Sequence, residues 1–186
     1  MDRLWSPWRF EYLTGGGQKA GCIFCLPADQ PAPRLQQSAE ASAEAGEASR
    51  PAEPESLVVF EGAACYVILN LYPYNNGHLM VVPYRHVATL GGLTSDEMTE
   101  IGRLMQRCEM ALTEAYRPHG FNVGVNLGAP AGAGVIDHLH VHVVPRWSGD
   151  TNFMTVVGDT RVLPEDLGAS AARLRPIFQS LASRAG

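Results

Sequence analysis

The stretch "DHLHVHVVPRW", residues 137–147, places three of the chain's six histidines on alternate positions: His138, His140 and His142. A helix would scatter them around its surface, whereas in an extended strand positions i, i+2 and i+4 share one face. The interleaved Leu139, Val141 and Val143 then form an apolar back, and the stretch reads as a strand with an imidazole front. Imidazole is a common metal ligand, but neighbours on one strand face stand roughly 6.6 Å apart. Three rings at that spacing do not converge easily on one tetrahedral ion. A division of labour fits better. The central ring acts as a nucleophile that forms a phosphoramidate with phosphorus, and its neighbours position it or stabilise charge on the phosphoryl oxygens.

Working outward, "FNVGVNLG" (121–128) reads as a strand, and "GAPAGAGVID" (128–137) is a small-residue loop that leads into the histidines. Further upstream, "SLVVFEG" and "ACYVILNL" read as paired strands around a turn at Gly62. "YPYNNG" is a turn cluster, and "HLMVVP" is a strand stopped by Pro83. Residues 94–120 carry helix signals: Thr94 and Glu97 form a capping box, and Pro118 with Gly120 closes the segment. Met98, Ile101, Met105, Cys108 and Leu112 make the expected apolar stripe. A second helix is expected over "EDLGASAARLRPIFQSLASR" after Pro164, kinked or divided at Pro176. About five hairpin-linked strands and two helices give an α+β fold with an antiparallel sheet.

The 186 residues suffice for one domain with a sizeable core. A net charge of −5 without a Lys/Arg run argues against a nucleic-acid polymer or a lipid surface as partner. No segment approaches the roughly 20 apolar residues of a membrane span, and "MDRLWSPWRFEYL" lacks the apolar core of a signal peptide. The expected location is the cytoplasm, where disulfides are rare. Residues 27–55, rich in Ala, Glu, Ser and Pro and without aromatics, read as a flexible insert. That insert separates an N-terminal arm, 1–26, from a core, 56–186.

"HLHVHVV" resembles the His-x-His-x-His pattern of the histidine triad (HIT) nucleotide hydrolases and transferases. "NLYPYNNGHLMVVPYRHVATL" looks like the family's second block, "FNVGVNLG" like the strand before the triad, and "PRWSGDTNF" like the tail of the bacterial diadenosine tetraphosphate phosphorylase branch. The resemblance implies that His140 takes the nucleotidyl group at the α-phosphorus, that His142 contacts the same phosphate, and that His78 backs the triad through hydrogen bonds. It puts Asn70 near the ribose, and Asn126 with the loop around Gly132 and Gly134 beside the phosphates. Glycines suit that place because they allow close backbone approach. Hydrolytic branches usually carry Gln or Ser in "GQ[ST]" before the triad; here Gly134 and Val135 stand in that region. This tilts the expectation toward orthophosphate as the second nucleophile, with hydrolysis of dinucleoside polyphosphates or phosphoramidates as the alternative. A nucleotide-binding sensor is the rival from another class. The resemblance also implies a homodimer.

Cys65 and Cys108 stand alone in apolar settings and read as inert thiols. "GCIFC" places Cys22 and Cys25 at the spacing of half a zinc site. A redox pair would follow a strand and open a helix; "TGGGQKAG" precedes this one, which leaves idle buried thiols as the other reading. Relatives with this arm complete a structural zinc site with two histidines, and the resemblance assigns those to His86 and His138. A closed Cys2His2 set leaves no open coordination position and would fix the ring of His138 beside His140. His119 has no comparable partner in sequence and reads as ordinary surface.

Overall fold

Hairpin formation follows the turn chemistry closely. Val58–Glu61 (β1) pairs antiparallel with Cys65–Leu69 (β2), which pairs with Leu79–Pro83 (β3) in a computed structural model describing residues 22–25, 57–150 and 165–184. The insert at 27–55, most of the N-terminal arm, Pro164 and the end of "PRWSGDTNF" lie outside the described residues. Gly62 is required at the first turn, because a Cβ there would stand 2.5 Å from Glu100 Oε1 and 2.8 Å from the Cys65 carbonyl. The Glu100 carboxylate instead accepts from the backbone N–H groups of Ala63, Ala64 and Cys65. The hairpin is thereby fastened to the helix that carries Glu100.

That helix, α1, spans Ser95–Tyr116 with the expected capping box: the Glu97 N–H donates to Thr94 Oγ1 and the Thr94 N–H to the Glu97 carboxylate. It ends at Arg117, which adopts the left-handed conformation (φ 49°) immediately before Pro118. The residue before a proline is disfavoured in a right-handed helix, so the chain turns there. The buried stripe differs from the sequence expectation. Leu104 and Ala111 join Ile101, Cys108 and Leu112 in the core, whereas Met98 is exposed and Met105 only half-buried. The capping box explains part of this: Glu97 at N3 turns inward to bond Arg85 and Thr94, which leaves Met98 facing solvent.

Gly120–Val125 (β4) and Val141–Arg146 (β5) complete a five-stranded antiparallel sheet in the order β1-β2-β3-β5-β4. The ladder of β5 begins at Val141, so only His142 lies within the strand, and His138 and His140 occupy the run leading into it. Helix α2, Leu167–Arg184, packs against α1 and β1. It is not divided at Pro176. An interior proline costs about 3 kcal/mol. Complete burial of Leu174 and Phe178 on the helix's inner face offsets that cost, while Pro176 sits on the exposed side. Cys65 and Cys108 are fully buried, and burial pushes both thiols up, Cys65 to about 12.

Candidate active site and metal centre

The two cysteines of "CIFC" form a turn, with the Cys25 N–H donating to the Cys22 carbonyl at 3.2 Å. Cys22 Sγ lies 3.3 Å from His138 Nδ1, and Cys25 Sγ lies 3.3 Å from His86 Nδ1 and 3.6 Å from His138 Nδ1. One ligand atom from each of the four residues falls within 4.8 Å of all the others. Ordinary Zn–S and Zn–N bond lengths imply tetrahedral edges of about 3.3–3.8 Å, so this donor set can hold such an ion. The ring of His138 is oriented for it. His138 Nε2 lies 2.9 Å from the Pro83 carbonyl, which can only accept, so Nε2 carries the hydrogen and Nδ1 turns its lone pair to the cysteines. Arg85, the neighbour of His86, grips the Glu97 carboxylate with Nε at 2.9 Å and Nη2 at 2.7 Å. That pairing keeps the Glu97 carboxyl below its usual range. Burial and the neighbouring Cys22 push the Cys25 thiol up, the response of two close thiols that a bound cation would reverse.

The same reasoning fixes the remaining rings. His140 Nδ1 lies 2.9 Å from the His138 carbonyl. Nδ1 therefore carries the hydrogen, and Nε2 carries the lone pair. Burial holds His140 below the ordinary imidazole range, so this lone pair is available at neutral pH. His78 Nδ1 accepts from the Tyr74 N–H at 3.1 Å and lies 3.3 Å from Asn70 Nδ2. Its hydrogen is then on Nε2, which donates to His142 Nδ1 at 3.0 Å. Burial, followed by the charges of His142 and His140, lowers His78 to about 3. His142 in turn has its hydrogen on Nε2, on the side away from His78. A donor at His142 and a lone pair at His140 stand side by side, their ring centroids 4.9 Å apart. That combination can attack an electrophilic centre while a hydrogen bond steadies the oxygen beside it.

Sequence position accounts for this arrangement. Gly77, with φ 71°, lets the β2–β3 turn close onto α1, where a Cβ would meet Leu112 and Tyr116, and delivers His78 to the start of β3. The register pairs His142 with Met80 on one side and Gly124 on the other. The side-chain-free Gly124 leaves His142 uncovered along β4. A cleft of about 400 Å³ opens there, lined by His142, Asn126, Asn122, Tyr74, Asn75 and Arg146 among others. Asn126 shares the cleft with His142, while Asn70 sits against His78. Gly132, left-handed at φ 88°, and Gly134 lie in the β4–β5 loop and do not line this cleft. Phe24, between the two cysteines, was not singled out from the sequence. It is buried, with its ring centroid 5.0 Å from that of His140 and 5.7 Å from that of His138. His119 is exposed, in line with its surface reading, and its Nδ1 accepts from the Ser148 N–H at 2.9 Å, tying down the turn after β5.

Comparisons with known proteins place the chain in a family. A HIT domain matches residues 51–149. The AP-4-A phosphorylase of Mycobacterium tuberculosis is 44% identical over 165 residues, which cover 89% of this chain and 78% of that protein. An asymmetrical bis(5'-nucleosyl)-tetraphosphatase of Schizosaccharomyces pombe is 30% identical over 95 residues, 51% of this chain and 52% of that one. Among solved structures, a Zn-bound histidine triad family protein from Mycobacterium smegmatis is similar at a TM-score of 0.57 and 26% identity, covering 69% of this chain and 87% of its own. The matched domain contains the three alternating histidines and His78, and the chain belongs to the HIT family.

Proposed function

We propose that the chain is a nucleotidyltransferase that cleaves dinucleoside polyphosphates of the diadenosine tetraphosphate kind by phosphorolysis. The observation that carries this reading is the paired proton pattern, a lone pair on His140 Nε2 beside a hydrogen on His142 Nε2, in a HIT chain 44% identical to an AP-4-A phosphorylase. In the first step His140 Nε2 attacks the α-phosphorus. A P–N bond forms, the P–O bond to the bridging oxygen breaks, and the distal nucleotide leaves with that electron pair. The His138 carbonyl holds the Nδ1 hydrogen and stabilises the positive charge that develops on the ring. The His142 Nε2–H donates to a non-bridging oxygen of the same phosphate. In the second step an oxygen of orthophosphate attacks phosphorus, the P–N bond breaks, and His140 regains its lone pair. Diadenosine tetraphosphate would give ATP in the first step and ADP in the second. Asn126, in the cleft with His142, Asn70, against His78, and Gly132 and Gly134, in the β4–β5 loop, are assigned to substrate binding.

Cys22, Cys25, His86 and His138 are assigned to a structural zinc ion. Its contribution when bound is to cross-link the arm to the core and hold His138, with the carbonyl that steadies His140. A thiolate site requires reduced cysteines, which supports a cytoplasmic location. The outer edge of β4, with Val123 exposed, supports assembly as a homodimer. Incubation with diadenosine tetraphosphate, with and without orthophosphate, tests the reaction. ADP and ATP that appear only with phosphate are expected. AMP and ATP formed at the same rate without phosphate would replace phosphorolysis by hydrolysis.

A further inference from the structure

The shorter of the two contacts that set the proton pattern of His78 is the Tyr74 N–H at 3.1 Å, donated from the turn between β2 and β3, with Asn70 Nδ2 at 3.3 Å. What holds that turn is the next side chain. Asn75 is buried in the described structure, and both hydrogens of its amide are used. Nδ2 donates to the Pro145 carbonyl at 3.0 Å and to Asp150 Oδ2 at 2.8 Å. Both partners are acceptors, so the orientation of the amide is unambiguous. The Asn75 carbonyl accepts from the His78 N–H at 3.2 Å, and the His78 carbonyl accepts from the Asn70 N–H at 2.9 Å. Asp150 is itself fixed by Arg146, with Nε at 2.6 Å and Nη2 at 2.9 Å, and Arg146 Nη1 reaches Asn122 Oδ1 at 2.8 Å. The turn that sets His78 is therefore clamped to β5, the strand that carries His142, and through Arg146 to β4.

We propose that Asn75 is a positioning residue: its amide holds the Tyr74 N–H against His78 Nδ1, and so keeps a hydrogen on His142 Nε2 facing the substrate. If the turn lifts away, His78 Nδ1 loses its strongest donor, and the ring can carry its hydrogen on Nδ1 instead of Nε2. His78 Nε2 then offers a lone pair to His142 Nδ1, which must take up the hydrogen to bond it. His142 Nε2 is left with a lone pair directed toward the phosphate oxygens, where a donor is needed. Asn75 thus acts through two rings, its own amide hydrogens being held by Pro145 and Asp150. This rests on the reading of His142 as the phosphate donor.

The test uses the full chain labelled with 15N-histidine. Ring nitrogens of His78 and His142 are followed by long-range 1H–15N correlation in the absence of substrate. The wild type is expected to show hydrogen on Nε2 of both rings. Asn75→Ala is expected to move both rings toward Nδ1–H, and kcat, measured on whichever nucleotide the wild type turns over, falls about ten- to a hundredfold with KM little changed. Asn75→Ser, which keeps one donor and is the milder change should the alanine variant fail to fold, is expected to fall between. A variant that keeps the wild-type proton pattern whatever its kcat, or loses it without loss of kcat, overturns the proposal. The ring pattern is read without substrate, so it stands apart from whether phosphorolysis is the reaction.

Discussion

A buried neutral histidine has a thermodynamic signature separate from catalysis. His78 is held at about 3 in the fold, chiefly by burial, against an ordinary value of 6.5. Between those values the unfolded chain binds a proton that the folded chain does not. Its contribution is fully present above 6.5 and is lost as pH falls toward the folded value. From pH 8 to pH 5, His78 alone is expected to remove about 2 kcal/mol of stability. His138 and His140, also lowered by burial, act in the same direction. Urea unfolding at the two pH values measures this, and His78→Gln should flatten the slope. Stability that is unchanged or higher at pH 5 contradicts the neutral, buried state of the ring.

At the scale of elements, strands and turns were legible because their signals are local. The capping box at Thr94 and the apolar runs of β2 and β3 depend only on neighbours in sequence. The four metal-ligand candidates were legible by resemblance, and the structure brings them together. Phe24, Asn75, Arg146 and Asp150 were not legible, because Phe24 meets His140, Asn75 bonds Asp150 and Arg146 bonds Asn122 across sequence separations that no spacing rule encodes. Pro176 shows the opposite failure, in which a strong local signal was overridden by packing of Leu174 and Phe178. Its cost should therefore still be recoverable. Pro176→Ala restores a donor toward the Ala172 carbonyl, and is expected to raise stability by about 1–3 kcal/mol. A lower thermal midpoint would mean that the packing of α2 has adapted to the proline.

For the whole molecule, the candidate metal-ligand set and the sheet are one assembly: Cys22 and Cys25 approach His138 and His86, β3 ends at the Pro83 carbonyl that bonds His138, and His138 precedes β5. Elemental analysis of gently purified protein is expected to give one zinc per chain. Cys22→Ser should lose it, together with about 10–100-fold in activity, as the support of a neighbouring ligand shell is lost. Retention of full zinc and activity by that variant would remove the assignment. The most direct measurement concerns His140 itself. Enzyme mixed with diadenosine tetraphosphate in phosphate-free buffer is quenched in alkali, where a phosphoramidate survives, and digested for mass spectrometry. One adenylyl group on His140 is expected, discharged as ADP when orthophosphate is added before the quench, with no adduct in His140→Asn. Turnover in His140→Asn at the wild-type rate, or an adduct on another residue, would contradict His140 as the nucleophile.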